Sequence, residues 1–145
     1  MFKMITQDRL PGIPPLKGSF CHAEAVALAH LAAVDSGRQG ENYLLPGVEA
    51  SFDEVIAIIA ELVGRPGPQW QIPVSAFIAI AHAKAAFSFL TGREPDLTPD
   101  GLRLMLNEAH IETEKAEREL GYRRVPLRTM LEDTYTWLAG HQLLS

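Results

Sequence analysis

The chain has a single cysteine, Cys21. No disulfide can close within it, and a zinc site built on paired cysteines is excluded. One free thiol fits a reducing compartment, and the cytoplasm is the expected location. Positive charge is also scarce: 13 Lys and Arg against 18 Asp and Glu leave a net charge of −5. No basic face for nucleic acid is expected. Long apolar runs are missing. The most apolar stretch, Ile72–Leu90, is interrupted by Pro73, Ser75, His82, Lys84 and Ser88, whereas a membrane span takes about 20 mostly apolar residues. That stretch reads as a buried helix. The opening MFKMITQDRLPGIPPLKG has no apolar core followed by a small-residue cleavage site, so it is not a signal peptide. Catalytic signatures are absent as well. There is no G-x-G-x-x-G, no G-x-x-x-x-G-K-[ST], no H-E-x-x-H and no G-x-S-x-G. Gly37 and Gly40 follow a helical stretch and precede a strand-like one, the wrong order for a phosphate cradle.

What is present is an ordinary globular composition. In 145 residues, 47% are hydrophobic and 21% charged, enough for a real core in one domain spanning 1–145. Residues 1–19 are expected to be loop-rich, because RLPGIPPLKGS at 9–19 carries three prolines and two glycines. FCHA at 20–23 reads as a short strand, and the Ala-rich 24–36 as a helix that Gly37 can close in a left-handed cap. Tyr43-Leu44-Leu45 is a strand candidate stopped by Pro46-Gly47. Ser51 and Glu54 form an S-x-x-E capping box, followed by Phe52, Val55, Ile56, Ile59, Leu62 and Val63 at helical spacing. Gly64 and Pro66 end that helix. Trp70-Gln71-Ile72 is a third strand candidate. Further helices are expected over Pro73 to about Leu90, over 99–107 behind Thr98, over 113–120 ending at Gly121, and from Pro126 to Gly140. The expected fold is α+β and mostly α, with about five helices and two or three very short strands. Strands this short do not make a self-sufficient sheet. They look like edges that join other strands.

Several side chains are candidates for chemistry. His22, His30 and Glu24 could share one helix face, though His22 in a strand and His30 packed on a helix is the preferred reading over a metal site. Glu112, Glu114, Glu117 and Glu119, with Lys115 and Arg118, suit a solvated helix face, and Glu114 with Arg118 has the favourable i,i+4 order. Arg123, Arg124 and Arg128 could hold a phosphate, or pair with the carboxylates before them; pairing is preferred. The aromatics Trp70, Phe77, Phe87, Phe89 and Trp137 read as core, with a ligand pocket lined by some of them as the alternative.

The order of these segments resembles a known family. SFCHAEAVALAHLAAVDSGRQGENYLLPG is similar to the stretch in extended short-chain dehydrogenases that runs from a strand through a His and a helix to G-x-x-G-E-x-Y-x-L. SFDEVIAIIAELVGRPGP resembles the family's next helix and its Gly-Arg exit. ETEKAERELGYRRVPLRTMLEDTYTWL resembles its C-terminal signature. The resemblance runs from about Leu10 to Leu138, and the branch it suggests is the dihydroflavonol-reductase-like group of the NAD-dependent epimerase/dehydratase family. It implies the C-terminal, substrate-binding part of such an enzyme, with 20–145 as a substrate-domain-like region. The family's Tyr-x-x-x-Lys pair has no counterpart: Tyr43, Tyr122 and Tyr135 are followed at i+4 by Gly47, Pro126 and Ala139. No catalytic, cofactor-binding or metal-binding residue carries over. NAD(P) is implied for the full-length family and no cofactor for this chain, which is therefore expected to be inactive alone. The resemblance places Leu10, Pro11, Gly12, Ile13, Phe20 and Phe77 at the substrate cleft. Exposed strand edges and helix faces predict a homodimer, or a Rossmann-domain partner that is missing here. The rival expectation is a stand-alone, non-enzymatic module that binds a small ligand or a protein.

Overall fold

In the computed structural model, the described residues are 1–91 and 114–144. In chain order they form α1 (Phe2–Thr6), β1 (Lys17–Phe20), α2 (Ala23–Ser36), β2 (Val48–Ser51), α3 (Phe52–Val63), α4 (Val74–Thr91), α5 (Glu114–Leu120) and α6 (Leu127–Gly140). The fold is α+β and mostly α, as expected.

α3 is the centre of the molecule. Its capping box forms as the sequence predicts. The Ser51 hydroxyl accepts from the Glu54 N–H at 3.2 Å, and the Ser51 N–H donates to Glu54 Oε2 at 2.9 Å. Gly64 closes the helix at φ 66°, a left-handed conformation that favours glycine. Val55, Ile56 and Ile59 are buried, together with Phe2 and Ile5 of α1 and Ala50 of β2. Leu127, Leu131, Tyr135 and Leu138 of α6 pack onto the same cluster. Full burial of each branched side chain contributes about 2 kcal/mol.

β1 and β2 make a two-stranded antiparallel sheet, with Lys17 opposite Ser51 and Phe20 opposite Val48. Its placement differs from the sequence expectation. The strand expected at 20–23 ends at Phe20, and His22 is instead the N-cap of α2. Tyr43-Leu44-Leu45 forms no strand; pairing resumes at Val48. Gly47 accounts for the close approach there, since a Cβ on it would collide with the Phe20 carbonyl. Trp70-Gln71-Ile72 gives only an isolated parallel bridge, between Ile13 and Gln71. In it the Ile13 N–H donates to the Trp70 carbonyl at 3.0 Å and the Ile72 N–H to the Ile13 carbonyl at 2.9 Å.

The N-terminal segment is more ordered than a loop-rich reading allows. It contains α1 and most of β1. α1 has no side-chain cap and is too short to be stable on its own. It is held by burial of Phe2 and Ile5, and by Arg65, which donates to the Thr6 carbonyl at 2.8 Å. Gly37 is not left-handed; its φ is −69° and its ψ 140°. Glycine is needed there for space, because a Cβ would meet the Ala33 carbonyl. Gly140 is the last helical residue of α6, and His141 takes the cap. The helix expected over 99–107 lies outside the described residues.

A second cluster joins α2 to α5. Ala29, Ala116 and Tyr122 are buried together, with Ala25, Val26, Tyr43 and Leu45 packed against them. A third, smaller one pairs Leu16 with Ala81, flanked by Phe52 and Phe77.

Candidate functional site

The largest concavity among the described residues is a groove of about 750 Å³. One wall is the lead-in to β2: Pro46, Gly47, Val48 and Glu49. The other is Glu117 of α5 and the turn that follows, with Tyr122, Arg123 and Arg124. The turn is set by Gly121, whose φ of 65° reverses the chain directly after α5. Pro126 then caps α6 in an extended conformation.

Tyr122 forms the floor. It is only 3% exposed, and its hydroxyl donates to the Pro46 carbonyl at 2.8 Å. Burial, more than the neighbouring charges, pushes its pKa above the ordinary tyrosine value. It therefore stays protonated and serves as a fixed donor that ties the two walls together. Gly47 is pinned from below, its N–H donating to Ser19 Oγ at 2.9 Å. Arg124 meets Glu117 at 3.6 Å, as the preferred pairing predicts, while Arg123 is exposed on the rim. Arg128 does not join them. It pairs with Glu61 at 2.7 Å and lies 3.8 Å from Glu132. The groove thus offers two guanidinium groups, two carboxylates and an apolar floor, a lining suited to a polar small molecule.

A polar lattice braces the wall behind it. Arg38 donates to Glu119 at 3.0 Å, and the Tyr43 hydroxyl donates to the same carboxylate at 2.7 Å. Tyr43 first, and Arg38 second, hold Glu119 below the usual carboxylate range. Lys115 bonds Glu41 and the Asn42 carbonyl, each at 2.7 Å, and lies 4.4 Å from the Tyr43 ring centre. Arg118 meets Glu119 at 3.9 Å rather than the expected Glu114. The α5 carboxylates are therefore structural ties as much as a solvated face.

The residues that the resemblance placed at a substrate cleft do not line this groove. Leu10, Ile13 and Phe20 are half-buried against the main core. Gly12 is buried, with Trp70 and Ile72 where a Cβ would be. Pro11 is exposed, and Phe77 packs beside Leu16 and Ala81. Ile13 also borders a smaller recess of about 240 Å³ beside Pro66 and Gly67. Sequence reading passed over Tyr122 as a site residue. The signal available was Leu-Gly-Tyr directly ahead of two arginines.

His22 lies 3.2 Å from Asp133 of α6, while His30 Nδ1 is 2.7 Å from the Val26 carbonyl on its own helix. The two histidines are not brought together. Among the described residues no group of three or more His, Cys, Asp or Glu is placed to hold a metal.

The described residues do not fit a dinucleotide. The sheet is antiparallel, and β2 runs directly into α3 without a glycine turn. At that helix N-terminus Ser51 and the Glu54 carboxylate already occupy the Glu54 and Ser51 N–H groups, where a phosphate would bind.

No protein-family model matches the chain. Two curated relatives do. A Synechocystis protein described as "Putative dihydroflavonol 4-reductase" is 26% identical over 120 residues, which are 80% of this chain and 35% of the relative. "Sterol demethylase protein B" of Methylococcus capsulatus is 27% identical over 131 residues, 89% of this chain and 40% of the relative. Solved structures agree. The protein gox2253 superposes with a TM-score of 0.78 at 23% identity, over 100% of this chain and 44% of its own. A nucleoside-diphosphate-sugar epimerase from Pseudomonas aeruginosa gives 0.73 at 21%, over 99% of this chain and 42% of its own. A UDP-glucuronic acid 4-epimerase from Bacillus cereus, solved with NAD, gives 0.62 at 17%, over 99% and 38%. The resemblance to the C-terminal part of an extended short-chain dehydrogenase, in the dihydroflavonol-reductase-like branch, is borne out. The chain spans about two fifths of the length of the proteins it matches. Among the described residues no helix is long and apolar enough to cross a membrane.

Proposed function

We propose that this chain is the substrate-side body of an NAD(P)-dependent reductase or epimerase-like protein, and that it neither binds the nicotinamide nor performs the redox step by itself. One observation carries the reading. Nearly the whole chain superposes on nucleotide-sugar epimerases, yet it covers only 42% and 38% of their lengths. Two further facts support it. The sequence holds no Gly-rich cofactor loop and no Tyr-x-x-x-Lys pair, and the helix terminus that follows β2 is closed by its own glutamate. The cofactor and the acid–base pair would come from another polypeptide segment. The groove floored by Tyr122 receives a polar, phosphate-bearing small molecule, with Arg123 free on its rim to meet the charge. The loop carrying Leu10, Pro11, Gly12 and Ile13, with Phe20 and Phe77, borders the substrate on the opposite side of the assembled protein.

The test is a calorimetric titration of the chain with UDP-glucuronic acid. Saturable binding that Arg123→Ala weakens about tenfold is the expected result, the worth of one charge-assisted hydrogen bond. Heats indistinguishable from buffer, or binding indifferent to Arg123→Ala, would remove the groove from the substrate side.

A further inference from the structure

α2 is apolar on two opposite faces, and only one of them is covered. Ala25, Val26 and Ala29 face the α5 cluster. On the other side, Leu28 is 58% exposed, Leu31 65% and Val34 83%. They recur at every third residue, so they form one stripe along the helix. A helix that is hydrophobic all round is normally enclosed by protein. A second feature lies next to the covered face. Tyr43 and Leu45 pack inward beneath α2, while Leu44 between them is 61% exposed. The segment is extended and apolar on both sides, the pattern of a strand inside a parallel sheet covered on both faces. Its carbonyls at Asn42, Leu45 and Pro46 accept from Lys115, Cys21 and Tyr122 side chains. Tyr43 and Leu44 make no main-chain hydrogen bond within the described residues.

We infer that these two features are one docking surface for an α/β body. That body adds a β-strand along residues 43–45 and lays an apolar layer over Leu28, Leu31 and Val34. Its identity follows from length. The gox2253 chain that superposes on all of this one has more than half of its residues outside the match. A body of that size, joined to this fold, must rest on some part of its surface. The outer α2 face and the strand-like edge supply what a sheet-containing body needs: apolar cover and main-chain pairing. A second copy of this chain fits less well. Two copies meeting along three residues of edge would bury far less than the roughly 1,200 Å² of a stable interface. The inference rests on the proposed function, in that the docked body is the cofactor-holding one.

The test joins the full chain to the part of gox2253 outside the match, and follows amide hydrogen exchange. In the chain alone, the Tyr43 and Leu44 amides exchange freely. In the chimera they slow at least tenfold, and Leu31→Glu with Val34→Glu restores fast exchange while leaving the melting temperature of the chain alone unchanged. Unchanged exchange in a chimera that binds NADH overturns the docking surface and leaves the proposed function standing. A chimera that fails to bind NADH overturns it as well. So does a dimer of the chain alone that Leu31→Glu splits, since a second copy would then own the face. The proposed function is judged separately, by the UDP-glucuronic acid titration on the chain alone.

Discussion

Glu119 shows how one carboxylate can hold a wall in place. It accepts from Tyr43 and from Arg38, whose backbone N–H in turn donates to the Tyr43 hydroxyl at 3.0 Å. Its folded pKa is depressed from 4.5. A depressed carboxylate contributes stability that is present above its unfolded value and disappears as pH falls through the folded one. The melting temperature should therefore fall more steeply below about pH 4.5 in the native chain than in Glu119→Gln. Thermal scans between pH 3 and pH 6 check this; parallel curves would mean that Glu119 carries no linked proton. None of this network was legible from sequence, because residues 38, 43 and 119 are brought together only by the packing of α2 on α5. The i,i+4 partner that spacing offered to Arg118 is not the one it takes. The same holds for Tyr122. Its role depends on a carbonyl at residue 46, far along the chain, and no local pattern encodes that meeting.

At the level of elements, the local rules succeed where a signal is self-contained. Ser51, Glu54 and Gly64 fixed both ends of α3 before any contact was known. Removing the cap with Ser51→Ala should cost about 1 kcal/mol, or about 3 °C in the midpoint of a thermal scan. An unchanged midpoint would show that burial of Val55, Ile56 and Ile59 holds the helix start by itself. The rules fail where an element exists only through a neighbour. α1 has no cap and no length, and it forms because Phe2 and Ile5 have a core to enter. Tyr43-Leu44-Leu45 has the composition of a strand and no partner edge among the described residues. Strand propensity reports a fit to a pleated, covered surface rather than a backbone preference, so a strand-like segment lacking a neighbour stays unpaired. Gly37 illustrates a different miss. The residue type was read correctly as special, but the reason is crowding against Ala33 and not a positive φ.

For the molecule as a whole, the segment order carried the family resemblance further than any single motif did. No family model matches, and the curated relatives are 26% and 27% identical. Yet the backbone superposes on gox2253 with a TM-score of 0.78. The fold survives because its determinants are spacing, caps and apolar stripes, which tolerate most substitutions. A substrate cleft does not survive in the same way. The positions assigned to it by resemblance, from Leu10 to Phe20, are engaged in packing here, and the groove formed at Tyr122 instead. The central claim is that this fold is one side of a two-sided protein and holds no nicotinamide of its own. Fluorescence titration of NADH against the isolated chain tests that most directly. The account predicts no saturable change in emission up to millimolar nucleotide, whereas a saturable signal at micromolar NADH would contradict it.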